Sequence, residues 1–443
     1  MITCSVVALG DKMCLEMPAK VITPLYRYLS ENSIQLPTTP SQTHSRTLRQ
    51  PTIPFLIIHF PMKFSLLSAI ALFTAAATAQ TNNAIAVIDD RVRSLNEVVS
   101  EPEGDDDINA KEMVYEGDDD IHANLACQEQ NTNYIPSLKA GQYSTSAFHN
   151  CFRTIQQIYE FTDALAAQNP TLLSKFAISK TYWNNTIYGY KLSKGHSQSL
   201  YFQSQLHARE WTAVSSVVFS LASILDDIAN NKPTAADEYD LYFVPIVNVD
   251  GYNVTWTSGY RFLRRNANAV DLNRNWPTPF ENPENVTEIN VTYPGPNPFS
   301  EPETAGINDW LKTKRDEIQG FLDIHSHGGL ILYPYGDNDQ PIGGGFDEKF
   351  EVFGRGLRSA MGEYDPIPVY RFYPTYGTFT DYVFREFKKP SVAIEIFGSA
   401  FNVSASTIPA RGLEVYKGIN QFAKEVTVFN GGDVKPIKPS CGD

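Results

Sequence analysis

The stretch LYFQSQLHAREW, residues 200–211, joins a strand pattern to a long helix pattern. It opens with the β-prone run Leu200-Tyr201-Phe202, and His207 and Glu210 follow just before the apolar pattern of residues 214–228. An imidazole and a carboxylate three residues apart at the end of a strand can bind one metal ion from a single turn. The fold would then have to supply the remaining ligand from another segment.

Strand and helix patterns alternate along most of the chain. Strand-like runs occupy residues 175–178, 187–192, 241–249, 320–324 and 392–397, and helix-like runs occupy 152–165, 214–228, 302–318, 346–361 and 410–428. Strands that alternate with helices favour a sheet between two helix layers. We therefore predict an α/β fold, a single large three-layer α/β/α domain with a mixed twisted sheet, over residues 131–430.

A second histidine motif follows another buried strand pattern. The sequence Asp323-Ile-His325-Ser-His327 ends the run that begins at residue 320. Two histidines and one glutamate form an accepted ligand set for catalytic zinc and leave one position open. His325 is the preferred third ligand and His327 is its rival, because both would point to the same side of a strand.

Glu395 stands alone inside an apolar strand pattern, residues 392–397. Glutamate is depleted from strands, and a buried unpaired charge is costly. The position is consistent with a buried salt bridge, but a general base whose pKa is raised by apolar surroundings explains it better.

A polar loop over residues 261–276 carries a group of cations. Arg264 and Arg265 come first, and Arg274 follows between two asparagines. Arginine binds carboxylates through two parallel hydrogen bonds, so this loop suits a substrate with a free C-terminal carboxylate. A solvated loop with surface ion pairs is the alternative.

These motifs together resemble the zinc metallocarboxypeptidases of the carboxypeptidase A/B type, from about Tyr143 to Phe429. The resemblance implies that His207, Glu210 and His325 bind one Zn2+ per chain. It also implies that Glu395 is the general base.

The resemblance further implies roles for the residues around the metal. Arg264 would polarise the scissile carbonyl, and Asp271 would orient His207. The substrate-binding residues would be Arg209, Asn273, Arg274, Tyr373 and Thr380. Thr380 occupies the position where relatives specific for basic residues carry Asp, so we expect a preference for neutral apolar or aromatic C-terminal residues.

The function implied is that of a secreted metallocarboxypeptidase that acts on the C termini of peptides or proteins. One alternative is an inactive module that binds peptide C termini. Another is an amidohydrolase of the same fold with other amide substrates, and a third is a structural secreted protein that kept the fold.

The N-terminal part predicts export. Residues 62–79 have the length and flanks of a signal peptide, which makes residues 1–61 an upstream, non-structural extension. Residues 80–130 carry a net charge of −11 and an Asp-rich near-repeat, and we expect a largely disordered acidic leader, either flexible or propeptide-like. Residues 431–443 form a C-terminal tail. Asn-x-Ser/Thr sites are compatible with glycosylation of a secreted chain.

Charge and cysteine content restrict the partners. The chain has a net charge of −14 and no basic stripe, which argues against nucleic acid. We expect no stable membrane span and a monomer. Of the cysteines beyond the signal peptide, we expect Cys151 to pair with Cys441.

Overall fold

The computed structural model describes residues 4–8, 11–15, 107–278 and 286–431. Strands β1 (Cys4–Ala8) and β2 (Asp11–Leu15) form an antiparallel hairpin. The predicted signal peptide, residues 80–106 of the leader and residues 432–443 of the tail lie outside the described residues. The interpretation of residues 1–61 as an upstream extension stays a prediction.

The rest of the described chain builds a mixed sheet of eight strands, in the order β3-β4-β6-β5-β7-β10-β8-β9. The strands are β3 (Leu173–Lys180), β4 (Thr186–Leu192), β5 (Ser199–Ser204), β6 (Asp240–Val244), β7 (Ile318–Ser326), β8 (Leu330–Tyr333), β9 (Asp365–Pro368) and β10 (Ser391–Ile396).

The helices are α1 (Asp107–Gln130), α2 (Ile155–Gln168), α3 (Trp211–Ala229), α4 (Val249–Val254), α5 (Pro302–Thr313), α6 (Phe346–Met361), α7 (Val369–Phe372), α8 (Phe379–Phe387) and α9 (Ile408–Phe429). Helix α3 is long and apolar enough to cross a membrane, but 72% of that stretch is buried within the protein. Its apolar surface is therefore part of the core.

Strand direction brings the predicted motifs to one edge of the sheet. Strands β6, β5, β7 and β10 are parallel neighbours, whereas β4 pairs antiparallel with β6 and β8 pairs antiparallel with β10. Because parallel strands all end at the same edge, the segments that follow β5, β7 and β10 lie close together.

Two neighbouring residues of β5 show the three layers. The ring of Tyr201 contacts Trp310 of α5 and Phe379 of α8, whereas the ring of Phe202 contacts Phe422 of α9. Successive residues of a strand point to opposite faces, so the sheet lies between two helix layers. This confirms the predicted α/β/α fold.

The acidic leader departs from expectation at its C-terminal end. Residues 107–130, for which the composition predicts disorder, form helix α1. The cysteine pairing was also predicted wrongly, because Cys127 in α1 forms a disulfide with Cys151 instead of leaving Cys151 for Cys441. Helix α1 is therefore covalently attached to the domain that follows it.

Candidate active site

The expected metal ligands come from two neighbouring parallel strands. Strand β5 ends at Ser204, and the chain then turns through His207 to Glu210, the residue that precedes helix α3. His325 is the penultimate residue of β7, the strand that pairs with β5. All three side chains are buried, each at most 4% exposed.

The ligand atoms of these three side chains converge on one point. His207 Nδ1 lies 2.7 Å from Glu210 Oε1 and 3.1 Å from His325 Nδ1, and His325 Nδ1 lies 2.9 Å from Glu210 Oε2. Within the described part of the chain, these three residues are the group of His, Cys, Asp or Glu side chains whose ligand atoms are close enough together to hold one metal ion. His327 lies outside this cluster, and its ring contacts Phe401 instead.

Both imidazole rings are fixed from behind by a carboxylate. His207 Nε2 lies 3.2 Å from Asp271 Oδ1, and His325 Nε2 lies 2.8 Å from Asp323 Oδ2. With a metal ion at the shared point, each Nδ1 would present its lone pair to the ion, and each Nε2 would then carry the proton that the carboxylate behind it accepts. This is the carboxylate–histidine arrangement that orients ligands at zinc sites.

The donor set fits a zinc ion. Two imidazole nitrogens and a carboxylate are ligands that zinc accepts, and tetrahedral bonds of about 2.0–2.1 Å separate ligand atoms by roughly 3.3 Å. Burial by itself would lower the pKa of His325, but Asp323 and Glu210 hold it well above its usual range, so the surroundings favour a positive charge.

Glu395 lies beside this cluster. It is in register with His325 on the parallel strands β10 and β7, so the two side chains are on the same face of the sheet. Burial raises the pKa of Glu395 to about 8, and the nearby Glu210 carboxylate adds to the increase while His325 and Arg264 oppose it. A carboxyl group of this kind can accept and return a proton near neutral pH.

Asp271 links the metal cluster to Arg264. The second oxygen of Asp271 accepts a hydrogen bond of 2.8 Å from Arg264 Nε. The main-chain carbonyl of Arg264 accepts a hydrogen bond of 3.0 Å from Ala208 N. Burial by itself would raise the pKa of Asp271, but Arg264 and His207 hold it well below its usual range. Arg264 Nη2 is buried without a hydrogen-bond partner among the described residues, so it can donate to a substrate oxygen.

Four further residues are expected from the sequence to bind substrate, namely Arg209, Asn273, Arg274 and Tyr373. Arg274 Nη2 donates to Tyr373 Oη at 3.1 Å, and the Tyr373 side chain is exposed. The amide oxygen of Asn273 accepts a hydrogen bond of 2.9 Å from Phe379 N, and its amide nitrogen lies 3.4 Å from His325 Nε2. The Arg209 guanidinium lies 4.1 Å from the centre of the Phe401 ring, and burial, together with the charge of Arg264, lowers its pKa. Asp271 accepts a hydrogen bond of 2.9 Å from Asn273 N as well as the bond from Arg264, so these two residues of the loop are joined through one carboxylate.

Thr380 lies in the first turn of α8 and is 3% exposed. A small apolar cluster of Leu332, Val369 and Ala393, separate from the main core, lies where Leu332 of β8 pairs with Ala393 of β10. The adjacent Asp381 carboxyl accepts a hydrogen bond of 2.8 Å from Gly336 N, and burial raises its pKa to about 7. Gly336 joins this carboxyl group to the apolar cluster, since a Cβ built on Gly336 would lie 2.8 Å from Val369 Cγ1.

The sequence interpretation assigned no role to Asp323, which the structure places behind His325. Asp323 also accepts a hydrogen bond of 3.2 Å from Gln203, whose amide oxygen accepts one of 2.9 Å from Tyr201. A signal was present, since an aspartate two residues before a ligand in an apolar strand points to the same face as that ligand.

The chain is similar in sequence to known proteins. The model of the zinc carboxypeptidase family matches residues 158–418. Human carboxypeptidase A1 is 30% identical over 241 residues, which are 52% of this chain and 57% of that protein. A zinc carboxypeptidase of Simulium vittatum is 31% identical over 198 residues, which are 43% of this chain and 65% of that protein. The chain spans about half the length of the curated relatives that it matches.

Solved structures show the same fold. Bovine thrombin-activatable fibrinolysis inhibitor, solved with a tick carboxypeptidase inhibitor, superposes with a TM-score of 0.58 at 23% identity, over 63% of this chain and 99% of that one. Carboxypeptidase A from Helicoverpa armigera gives a TM-score of 0.59 at 21% identity, over 69% of this chain and 80% of that one.

Proposed function

The chain belongs to the zinc carboxypeptidase family, and from that premise we propose that it removes single amino acids from the C termini of peptides. One observation carries the proposal. The cluster of His207, Glu210 and His325 lies next to Glu395 and next to the free guanidinium nitrogen of Arg264. Metal-assisted peptide hydrolysis uses a metal ion, a base and an oxyanion donor; the three clustered residues would hold the metal, and Glu395 and Arg264 would supply the other two.

We propose that His207, Glu210 and His325 hold the zinc ion. Zinc bound there supplies a Lewis acid that polarises a carbonyl group and lowers the pKa of water to about 7. Asp271 and Asp323 keep the two rings in the orientation that presents Nδ1. This arrangement restricts the metal to one geometry.

Glu395 is the proposed general base and later the general acid. It takes the proton of the attacking water and returns it to the nitrogen of the leaving amino acid. Its raised pKa supports this role, because a carboxyl group that titrates near neutral pH can carry the proton between the two steps.

Arg264, Asn273 and Arg274 are proposed to bind the substrate. Arg264 Nη2 donates to the carbonyl oxygen as negative charge develops on it. Asn273 and Arg274 hold the terminal carboxylate, and Tyr373 closes the slot from the solvent side. A peptide held by its terminal carboxylate presents its last peptide bond to Glu395, which restricts cleavage to that bond.

We propose that neutral apolar or aromatic residues are released in preference to basic ones. The buried Thr380 supplies no charge, and Leu332, Val369 and Ala393 form an apolar cluster nearby. A buried Lys or Arg side chain without a carboxylate partner is costly. Comparing the release rates for hippuryl-Phe and hippuryl-Arg tests this preference, and faster release of Arg would contradict it.

We also propose that the enzyme is secreted and acts as a monomer. The disulfide between Cys127 and Cys151 supports secretion, since such bonds form and persist in oxidising compartments.

A matched pair of peptides tests the proposed activity. The zinc-loaded protein is incubated with a peptide ending in Phe, either as the free acid or as the C-terminal amide, and the products are identified by mass spectrometry. We expect Phe to be released from the free acid and the amide to stay intact, because Asn273 and Arg274 bind the carboxylate. Equal cleavage of both peptides, or cleavage at internal bonds, would contradict the proposal.

A further inference from the structure

Helix α1 packs on the α/β domain through one face. From Gly117 onward, the buried residues are Gly117, Ile121, Asn124 and Gln128, which recur at helical spacing. A side chain at Gly117 would meet Arg261, because a Cβ built there lies 2.9 Å from Arg261 Cβ. The absence of a side chain therefore allows the helix to approach Arg261 closely.

The packed face is held mainly by polar contacts and a covalent bond. Gln128 donates a hydrogen bond of 2.7 Å to the carbonyl oxygen of Phe152, and the main-chain nitrogen of Phe152 donates one of 3.3 Å to the side chain of Asn124. Cys127, on the same side of the helix, is bonded to Cys151.

Asp118 accepts hydrogen bonds of 2.5 Å and 2.7 Å from the turn at residues 258 and 259. These contacts join the end of the acidic leader to the segment that precedes Arg264.

Arg261 is the main link between α1 and the candidate active site. Its side chain is 1% exposed, and its guanidinium lies 3.7 Å from the centre of the Trp211 ring. Nε donates to Asp120 of α1 at 2.6 Å, Nη1 donates to the carbonyl of Arg209 at 2.8 Å, and Nη2 donates to the carbonyl of Phe401 at 2.9 Å. Asp120 is the carboxylate paired with this buried cation.

The position of the Arg209 carbonyl makes this contact relevant to the metal. Arg209 lies between His207 and Glu210 in the turn that supplies both ligands. A donor fixed on that carbonyl restricts the conformation of the turn. Without Asp120, Arg261 would be a buried cation without its carboxylate, and it would have to move toward solvent or another acceptor.

We propose that the part of helix α1 from Gly117 onward is a permanent part of the active enzyme and that Asp120 is a positioning residue, which acts through Arg261 on the turn that holds His207 and Glu210. The inference rests on the proposed function in that this turn is taken to bind zinc. It assigns the acidic leader two parts with different fates. Proteolytic cleavage before Gly117 leaves the enzyme active, whereas removal of residues 117–130 weakens the metal site.

Two alanine variants test the role of Asp120. Asp120→Ala removes the partner of Arg261, and Asp119→Ala is the matched control, because Asp119 is the exposed neighbour on the same helix. We expect Asp120→Ala to raise the zinc dissociation constant about tenfold, as loss of an outer contact does at other metal sites, and Asp119→Ala to leave it unchanged. Asp120→Asn keeps an acceptor oxygen and should restore part of the affinity. Equal zinc affinity in the two alanine variants would overturn the assignment.

A cleavage experiment tests the helix as a whole. A recognition sequence for a site-specific protease is inserted between the exposed residues Lys139 and Ala140, with the disulfide intact or with Cys127 and Cys151 both changed to Ser. With the disulfide, the cut protein should keep the helix, its zinc affinity and its peptidase activity. Without the disulfide, gel filtration shows whether the cut fragment that carries the helix separates from the domain. If it separates, zinc affinity and activity should fall together, and if it stays bound, both should be preserved. Unchanged or increased activity after loss of the helix would overturn the proposal and favour an inhibitory propeptide.

The readouts separate this inference from the proposed function. A wild-type protein that releases no amino acid, but whose zinc affinity depends on Asp120, would contradict the proposed function and support the role of the helix. An active protein whose zinc affinity is indifferent to Asp120 would contradict the inference alone.

Discussion

Glu395 and His325 occupy paired positions on two parallel neighbouring strands, β10 and β7. Paired residues of parallel strands project from the same face of the sheet, so the proposed base is beside a proposed metal ligand. The backbone pairing, rather than a flexible loop, sets the distance between them. Rigid placement of this kind is what a catalytic proton transfer requires.

Replacing the proposed base should remove turnover but preserve the metal site. We expect Glu395→Gln to lower kcat by about two to four orders of magnitude, the usual contribution of a general base. Its zinc affinity should stay near that of the wild type, because Glu395 is not one of the three clustered residues. Release of Phe from hippuryl-Phe measures the effect, and Glu363→Gln at an exposed position is the control. Wild-type turnover in Glu395→Gln would reject the assignment.

Asp323 should matter for metal binding. We expect Asp323→Asn to weaken zinc binding about 10–100-fold, because the amide no longer fixes the His325 ring as a carboxylate does. Competition with a chelator gives the dissociation constant. Asp316→Asn, a similar change at an exposed position before β7, should leave the constant unchanged. If both variants bind zinc alike, Asp323 has no part in orienting His325.

Arg264 and its neighbour Arg265 should differ in their effect on catalysis. Lysine cannot reach Asp271 and a substrate oxygen at once as the guanidinium does, so Arg264→Lys should lower kcat about 100-fold. Arg265 donates to the carbonyl oxygens of Ala269, Glu288 and Asn290, away from the metal cluster. Arg265→Lys should therefore retain kcat. Equal losses in the two variants, measured by steady-state kinetics, would count against Arg264 as an oxyanion donor.

A single substitution should change the preferred C-terminal residue. Thr380→Asp introduces a carboxylate into a buried position, which should raise the rate with hippuryl-Arg relative to hippuryl-Phe by about tenfold or more. Thr380→Val removes the hydroxyl group without adding charge and should keep the preference for Phe. An unchanged ratio of kcat/KM values in Thr380→Asp would place the specificity pocket elsewhere.

Much of the fold was predictable because burial on both sides of the sheet produces long apolar runs. Helix α6 has the predicted bounds of residues 346–361. The strand predicted over residues 241–249 ends at Val244, where Pro245 removes a main-chain donor. Strand β9 was missed because it is short and contains Pro366 and Pro368.

What the sequence left open or missed has a common origin in long-range contacts. Strand periodicity could not choose between His325 and His327, whereas in the structure His325 lies with His207 and Glu210 from the neighbouring segment and His327 does not. Helix α1 was missed because its buried face is short and largely polar, so the hydrophobic pattern gives little signal beside the acidic composition. The contact between Asp120 and Arg261 joins segments that are 141 residues apart, which no local pattern can reveal.

The most direct test is a zinc titration of the chelated protein in which release of Phe from a peptide free acid is followed at each addition. The account predicts no release without zinc and a linear rise that stops at about one equivalent per chain, the number expected for one three-residue site. His327→Ala should give the same end point, whereas His325→Ala should give no sharp end point and little release. Release that is independent of zinc, or an unchanged end point in His325→Ala, would contradict the account.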